Sequence, residues 1–403
     1  MARFQYLAID NKGIRTEGTI EGNSQEIAIA ELKKQGMYVL HIKQDKMSFL
    51  QKEIILGKIV KIEELVVFTR QLATLIKSGV TIVDSVRILG EQTTNKQFRK
   101  VIQQIEYSLR NGETFSSTLA EHPKAFPPIF INMVRAGETA GNLDETLESV
   151  ATFFEKEHKT RSKVKSAMTY PIVISILAIL VTIFLLIKIV PNFVKMYADY
   201  GATLPLPTRI IIGISNFIVG GWYVILFLTI VLTVGLMIFK KTDQGRYMLD
   251  YLKLKLPIFG KLAQKAAMAR FARTLSALLK SAVPILQSLT MASQVVENEA
   301  VARPIREARE SLRQGKSLHE PLKENGIFPP LVTHMIAVGE ETGAIDEMLN
   351  KVAEFYENDV ETMTDQLKSL IEPLLIVFMA VIVGTIILAV IMPMFGIYDM
   401  VGK

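Results

Sequence analysis

Cysteine is absent from this chain of 403 residues, and tryptophan occurs once. The absence of cysteine excludes disulfides, thiolate nucleophiles and cysteine-ligated zinc or iron–sulfur centres. The five histidines, at positions 41, 122, 158, 319 and 334, show no metal-ligand spacing, and no Walker lysine loop or Ser/His/Asp arrangement is present. We therefore predict a protein that is not an enzyme and that has no cofactor and no metal site.

The first ten residues lack the apolar core of a signal peptide. We therefore expect internal segments to direct membrane insertion. The net charge is +6, but the basic residues flank apolar runs, and neither a helix-turn-helix nor an aromatic-rich sheet accompanies them. This distribution predicts that the protein does not bind nucleic acid.

Apolar residues make up 49% of the chain, and the mean hydropathy is +0.29. Three segments reach the length of about 20 apolar residues that a membrane-spanning helix needs: 171–190, 219–239 and 373–393. Pro171 and Pro373 are expected in the first turns of the first and third of these helices, where the missing proline N–H costs no hydrogen bond.

Basic residues predict the orientation of these spans. Basic clusters at 156–165 and 240–255 lie before the first span and after the second, whereas residues 191–218 carry only Lys195 and Arg209. The positive-inside rule then predicts a multi-pass protein of the bacterial inner membrane, with a cytoplasmic N-terminus and a periplasmic C-terminus. In the outer loop, Thr208 is expected to cap a short interfacial helix.

A stretch of more than 120 residues occurs twice. The sequence FTRQLATLIKSGVTI from Phe68 corresponds to FARTLSALLKSAVPI from Phe271, an offset of 203 residues. A Gly-Glu-x-x-Gly element follows in each copy, at Gly137 and at Gly339, an offset of 202 residues. Matching punctuation over this length indicates a duplication, and apolar residues at helical spacing predict a compact helical bundle in each copy.

The predicted fold class is an all-α membrane protein with two homologous cytoplasmic helical bundles, three transmembrane helices and a small N-terminal ββαβ module. In that module, alternating residues from Phe4 and from Ile14 predict two strands, Ser24 caps a helix that stops at Gly36, and 37–42 form a third strand. The predicted segments are the module (1–45), a linker (46–62), the first bundle (63–170), the first span (171–190), a periplasmic loop (191–218), the second span (219–239), the second bundle (240–372), the third span (373–393) and a periplasmic tail (394–403).

The Gly-Glu-x-x-Gly elements allow two interpretations. In the first, each element is an interhelical turn in which the glycines supply backbone freedom, and Asn142 with Glu145 forms a capping pair for the next helix. In the second, acidic side chains bind a partner protein or a divalent cation, although a hard cation needs six or more oxygen ligands. The acidic candidates are Glu138, Asp144, Glu340 and Asp346.

The segments that lead into the first and third spans differ in charge. Lys163 and Lys165 belong to a basic stretch that can set the topology, bind anionic lipid headgroups or contact an ATPase, whereas residues 354–365 are acidic. Because the two stretches occupy corresponding places in the repeats, we hypothesise that they pair within or between subunits. Lys188 lies late in the first span and is expected to extend toward the outer interface.

Several short motifs carry a resemblance to a known family. The first copy contains RQLA at 70–73, KSGV at 77–80, an AGE-x-x-G-x-LD element at 136–144 and then Tyr170-Pro171, and the second repeats VGE-x-x-G-x-ID at 338–346. In this order and duplication they resemble the GspF/PilC family of inner-membrane platform proteins, which serve type II secretion and type IV pilus systems.

The N-terminal stretch from Tyr6 to Gly36 also resembles the opening module of that family. Two positions depart from the pattern: Ala282 stands where the first copy has Gly79, and Glu372 stands where the first copy has Tyr170.

The resemblance implies a membrane scaffold whose partners are a hexameric assembly ATPase, pilin or pseudopilin subunits, other inner-membrane assembly proteins and lipid, in a homo-oligomer. ATPase cycling would shift the platform and lift subunits out of the bilayer, and Lys188 would pair with a membrane glutamate of such a subunit. Pilus assembly and secretion remain open, and a small transporter or a signalling adaptor are the alternative functions. The partner-binding candidates are Glu138, Asp144, Lys163, Lys165, Glu340, Asp346 and Lys188.

Overall fold

The computed structural model describes residues 2–9, 15–22, 29, 32–33, 37–44, 59–189, 191 and 206–401. The chain divides into two compact units, residues 1–58 and 59–403. The strands belong to the first unit and the helices that carry the candidate site belong to the second.

The N-terminal unit contains a three-stranded antiparallel sheet. Strand β1 (Ala2–Ile9) lies between β2 (Arg15–Gly22) and β3 (Tyr38–Gln44) and pairs with both. The helix expected at 24–36 and the linker at 46–62 lie largely outside the described residues. The ββαβ module as a whole therefore stays a prediction.

The second unit is helical, and its helices form two series in the same order. Corresponding helices begin 203 residues apart at Lys96 and Glu299, and 202 residues apart at Pro128 and Pro330, which matches the offsets of the sequence repeat. The first series is α1 (Ile62–Lys77), α2 (Ile82–Gln92), α3 (Lys96–Arg110), α4 (Phe115–Ala120), α5 (Pro128–Ala140) and α6 (Leu143–Phe184); α7 (Leu206–Lys241) and α8 (Asp243–Lys255) follow; the second series is α9 (Phe259–Lys280), α10 (Ile285–Val295), α11 (Glu299–Arg313), α12 (His319–Glu324), α13 (Pro330–Thr342) and α14 (Ile345–Val401).

Capping residues explain where several of these helices begin and end. Thr81, Asn95 and Asn298 begin α2, α3 and α11, because each side chain accepts a hydrogen bond from a backbone N–H of the first turn. Gly141 and Gly343 end α5 and α13 in the left-handed conformation, with φ of 75° and 73°. The helices are therefore short, and their apolar faces must pack together to be stable.

Each bundle has a buried core around equivalent phenylalanines. The ring centres of Phe68 and Phe126 lie 5.8 Å apart in the first bundle, and those of Phe271 and Phe328 lie 5.5 Å apart in the second. Leu278 of α9 is fully buried and packs into the core of the first bundle. The two bundles therefore share apolar surface.

The two longest helices do not begin where the proline positions predicted. Helix α6 runs through Pro171, and α14 runs through Pro373, so the prediction that these prolines occupy first turns is wrong. An interior proline removes one backbone hydrogen bond but does not end a helix that packing holds on both sides. Ala167, whose carbonyl loses its partner at Pro171, is itself buried.

Two segments predicted as irregular are helical. Helix α7 begins at Leu206, so the predicted loop 191–218 is helical from that residue, and Thr208 lies inside the helix where it cannot act as a cap. Helix α14 continues to Val401, so the predicted tail 394–403 is helical over its described residues. A π-helical turn, Leu185–Ile189, follows α6.

Among the described residues, two helical segments have the length and composition of membrane spans: Leu143–Phe184 and Ile345–Thr385. Their apolar residues are exposed in the isolated chain, for example Leu180 and Leu374. A contiguous exposed apolar surface of this length indicates a membrane or a partner protein around it. The predicted span 219–239 lies within α7, and its passage through a membrane stays a prediction.

Candidate partner-binding site

The glutamate of the first Gly-Glu-x-x-Gly element caps a neighbouring helix. One carboxylate oxygen of Glu138 accepts a hydrogen bond from the backbone N–H of Phe115 at 2.6 Å, and the other accepts from Ser116 at 2.9 Å. These are the first two residues of α4, whose N–H groups have no partner inside the helix. Glu138, on α5, therefore ties α5 to the start of α4.

Glu340 repeats this arrangement in the second bundle. Its carboxylate accepts hydrogen bonds from the backbone N–H groups of Leu318 at 2.5 Å and His319 at 3.2 Å, at the start of α12. The Nδ1 atom of His319 lies 2.6 Å from the same carboxylate. Both glutamates are thus engaged in the fold.

The glycines of the element serve two different purposes. Gly141 takes the left-handed conformation that ends α5, as described above. Gly137 instead allows α5 to approach α6, because a Cβ atom there would lie 2.4 Å from Oγ1 of Thr146. Gly339 plays the same part, since a Cβ atom would lie 2.8 Å from Cα of Ile345 on α14. Each element therefore sets the packing of three successive helices.

The capping pair expected from Asn142 and Glu145 does not form. Asn142 precedes α6 but makes no side-chain capping hydrogen bond, and its Oδ1 atom is buried without a hydrogen-bond partner among the described residues. The reason is geometric, because Asn142 has φ −116° and ψ 48° and departs from the extended backbone that usually directs a cap side chain back to the first turn.

An arginine joins the first and last helices of each bundle. Arg70 on α1 donates two hydrogen bonds of 2.6 Å to Glu155 and one of 2.5 Å to Glu148, both on α6. The hydrogen bond with Glu155 raises the pKa of Arg70 and lowers the pKa of Glu155. A two-pronged arginine–carboxylate contact of this kind fixes both position and orientation.

The second bundle contains the equivalent arginine in a more buried setting. Arg273 on α9 donates hydrogen bonds of 2.7 and 2.9 Å to Glu357 and one of 2.6 Å to Asn350, both on α14. Only 11% of each of the Arg273 and Glu357 side chains is exposed. Removing one partner would leave a buried charge, so this contact holds the start of α14 against α9.

The basic and acidic stretches of the two repeats pair within the chain, which is one of the two arrangements that their positions suggested. On α6, Lys163 and Lys159 lie 2.7 and 3.0 Å from the carboxylate of Glu361 on α14, and Lys156 lies 3.7 Å from Glu357. We call these five residues the ion-pair ladder. The hydrogen bond from Lys163 lowers the pKa of Glu361 and raises the pKa of Lys163.

The remaining acidic candidates lie at the starts of α6 and α14. Asp144 is exposed in the first turn of α6, where it lines a cleft of about 350 Å³. Lys77 and Lys280, equivalent residues of the two repeats, also line this cleft. The backbone carbonyl of Asp346 accepts a hydrogen bond of 2.8 Å from Ser276. The structure therefore does not gather the four predicted carboxylates into one site.

The two other basic candidates are separated along one helical path. Lys165 is exposed on α6 and forms no ion pair within the described part of the chain. Lys188 is exposed in the π-helical turn, 23 residues further on, or about 35 Å at helical rise. Among the described residues, no group of three or more acidic, histidine or cysteine side chains converges to hold a metal ion.

Comparison with known proteins adds the family. A family model for the type II secretion system protein F matches residues 68–191 and 271–393, and a model for the N-terminal domain of that protein matches residues 1–43. The chain belongs to the type II secretion system protein F family. Both main matches run from a helical bundle through α6 or α14 into the apolar segment, so the family's repeating unit contains both parts.

Relatives with pilus and secretion names cover almost the whole chain. The type IV pilus assembly protein PilC of Thermus thermophilus is 40% identical over 401 residues, which is 98% of each chain. PilC of Myxococcus xanthus is 37% identical over 98% of this chain and 95% of its own. The type II secretion system protein F of Pseudomonas aeruginosa is 31% identical over the full length of both chains.

Sequence reasoning missed the structural importance of the two arginines. Arg70 and Arg273 were visible only as parts of repeated motifs. A signal was present, since Glu148 and Glu155 are seven residues apart and therefore lie on one face of α6. That spacing could not reveal the partner, because the contact joins residues 85 positions apart in the chain.

Proposed function

We propose that this member of the protein F family is an inner-membrane platform that couples a cytoplasmic hexameric ATPase to the movement of pilin or pseudopilin subunits. The names of its relatives support a place in pilus assembly or type II secretion. The higher identity to the two PilC relatives, at 40% and 37% against 31%, favours pilus assembly.

The observation that carries the proposal is the continuity of α6 and α14. Helix α6 has 42 residues and α14 has 57, or about 63 and 86 Å at helical rise. Both lengths exceed the roughly 30 Å of a bilayer core by a large margin. One helix therefore belongs to a bundle at one end and to an apolar segment at the other, with no flexible linker between them.

The ion-pair ladder and the buried Arg273–Glu357 contact support the transmission of movement. They hold α6 and α14 side by side just before both helices enter their apolar segments. An exposed ion pair contributes little to stability by itself, but several in register restrain sliding of one helix along the other. A displacement of either bundle would then move both apolar segments together.

In this proposal the chain crosses the membrane three times, through 171–190, 219–239 and 373–393, and both bundles lie in the cytoplasm. The basic clusters that flank α6 and α7 support this orientation. A ring or smaller homo-oligomer would surround the growing filament and present its apolar helices to subunits in the bilayer.

The candidate residues divide by their availability to a partner. Glu138, Glu340 and Lys163 are engaged within the chain, so we propose that they act by shaping the bundles. Asp144 and Lys165 are exposed and are the better contacts for the ATPase. Asp346 and Lys188 are assigned to the same surfaces on weaker grounds, as neighbours of the cleft and of the outer interface.

The decisive experiment breaks the continuity of α6. Seven glycine and serine residues inserted between Thr169 and Tyr170 should leave both bundles and membrane insertion intact but abolish filament assembly. Seven alanines at the same place are the matched control, because they complete almost two helical turns and keep the helix rigid and nearly in phase. Pili and secreted protein are counted in cells that lack the native gene. Full assembly with the flexible insert would refute the proposed coupling.

A second experiment looks for the ATPase. A photocrosslinking residue placed at Asp144 or at Lys165 should capture the ATPase in cells, whereas one placed at Glu138, which faces the interior, should not. Capture from Glu138 alone would contradict the assignment of the exposed residues.

A further inference from the structure

Helix α8 lies at the inner end of the second predicted span. Only Thr242 separates it from α7, and the Thr242 hydroxyl caps α8 by accepting a hydrogen bond from the N–H of Gly245. A Cβ atom at Gly245 would lie 2.0 Å from the carbonyl oxygen of Phe239, so the chain folds back sharply on the end of α7. Helix α8 therefore begins where α7 would leave the bilayer.

One face of α8 packs against the second bundle. Tyr247, Tyr251 and Leu254 pack on its core, and the carboxylate of Asp250 accepts a hydrogen bond of 2.9 Å from the N–H of Glu299. Asp250 is almost fully buried. This face fixes how α8 sits on the bundle and determines which side chains point away.

The opposite face of α8 is apolar and exposed. Met248 is 56% exposed and Leu252 is 50% exposed, and the residues are one helical turn apart. Leu256, which follows the helix, continues the same row with 53% exposure. An apolar row of this kind on a short helix outside the spans is unexplained by the cores of the two bundles.

The turn after α8 presents further apolar side chains in a strained backbone. Ile258 has φ 65° and ψ −61°, and the N–H of Phe259 donates to the carbonyl of Pro257 at 2.7 Å, which together form a γ-turn. This turn is unfavourable for a β-branched residue. Ile258 and Phe259 are nevertheless 47% and 42% exposed, so the strain holds apolar side chains outward.

Basic residues surround this apolar surface. From Lys240 to Lys261 the chain carries six basic residues and two acidic ones, Asp243 and Asp250, of which Asp250 is buried and already bound. Lys255 lies over the Tyr251 ring at 4.7 Å, and its long side chain can extend along the apolar row. An apolar row with basic residues beside it is the pattern of helices that lie on anionic membranes.

We propose that α8 and its γ-turn lie in the inner leaflet, with Met248, Leu252, Leu256 and Ile258 among the acyl chains and the basic residues at anionic headgroups. A lipid surface is the occupant that the geometry favours, because α8 starts one residue after the end of a predicted span and cannot move far from the interface. The inference rests on the proposed passage of α7 through the membrane. It would make the second bundle ride on the bilayer surface.

The absence of native cysteine makes a direct test available. Single variants Leu252→Cys and Ile258→Cys of the full chain, each carrying a polarity-sensitive fluorophore, are placed in nanodiscs of phosphatidylethanolamine and phosphatidylglycerol. Lys316→Cys, on an exposed turn of the second bundle, is the matched aqueous control. Phe227→Cys, inside the predicted span, reports separately on α7.

The expected result is that the labels at 252 and 258 lose quenching by a water-soluble quencher and gain quenching by lipids that carry a quencher near the headgroup. The label at 316 should behave in the opposite way. Replacing phosphatidylglycerol with phosphatidylcholine should reverse part of the shift at 252 and 258 and leave the label at 227 unchanged.

Two results would overturn the inference in distinguishable ways. If the label at 227 is shielded but those at 252 and 258 are quenched like the label at 316, α7 spans the membrane and the surface role of α8 is refuted. If the label at 227 is also open to water, the proposed span itself fails. Shielding at 252 that appears only after cytoplasmic partner proteins are added would refute the lipid and assign the surface to a protein.

Discussion

Removal of the Glu138 carboxylate should loosen the start of α4. The N–H groups of Phe115 and Ser116 depend on this carboxylate, because the other side-chain cap of the helix, Thr114, serves Ser117 at the longer distance of 3.4 Å. Helix α4 has only six residues, so it holds few internal hydrogen bonds that could compensate.

The expected magnitude follows from the two hydrogen bonds. A hydrogen bond to a charged group contributes about 1.5–3 kcal/mol, and water replaces part of it at this half-buried site. Glu138→Ala should therefore lower the local free energy of opening by about 2 kcal/mol, or roughly a 30-fold faster amide exchange at Phe115 and Ser116. Glu138→Gln should lose about half as much, because its amide oxygen can accept one of the two bonds.

Hydrogen exchange measured by mass spectrometry on the full chain in nanodiscs is the assay, read on peptides that cover residues 114–121. Glu145→Gln is the control, since Glu145 is exposed in the first turn of α6 and should leave exchange at α4 unchanged. Unchanged protection of Phe115 and Ser116 in Glu138→Ala, together with lost capture of a partner, would refute the structural role and favour a binding role for Glu138.

Three further perturbations follow from individual contacts. Ala282 has φ 59°, in the left-handed region where the equivalent Gly79 has φ 85°, so Ala282→Gly should raise the thermal midpoint by removing about 1 kcal/mol of strain, and Gly79→Ala should lower it; equal midpoints would contradict this. Because the folded-state pKa of Glu361 is lowered, its pairing stabilises the fold above its unfolded pKa, near 4.5, and is lost as the pH falls below that value, so crosslinking between cysteines on α6 and α14 should become less specific in acid but not between pH 6 and 8. Lys163→Glu should weaken the same crosslink, and adding Glu361→Lys should restore it; a double variant no better than the single one would show that the pair is not coupled.

Much of the helical arrangement could be predicted from the repeat. The matching punctuation at Gly137 and Gly339 located equivalent turns, and the structure begins equivalent helices at the predicted offsets. The boundaries failed where a local rule met a tertiary one. Pro171 and Pro373 signal helix starts in isolation, but packing on neighbouring helices carries α6 and α14 through them.

The candidate site was predicted in composition but not in arrangement. The acidic residues of the two elements appeared as one set, yet Glu138 and Glu340 turn inward to cap α4 and α12 while Asp144 faces a cleft. Sequence cannot distinguish these outcomes, because the donors that claim the glutamates lie more than 20 residues earlier, on another helix. The charge difference between the stretches did indicate that they pair, and the structure shows which lysines take part.

By itself the sequence determined the duplication, the apolar segments and the charges at their ends, because these are properties of residue order and spacing. It also determined the family, through motifs repeated in a constant order. Only the tertiary structure decided that the Gly-Glu-x-x-Gly elements act inward, that Arg70 and Arg273 join first and last helices, and that the lysines of α6 reach Glu361. Each of these contacts joins residues on different helices, and which helices meet depends on how all the apolar faces pack together.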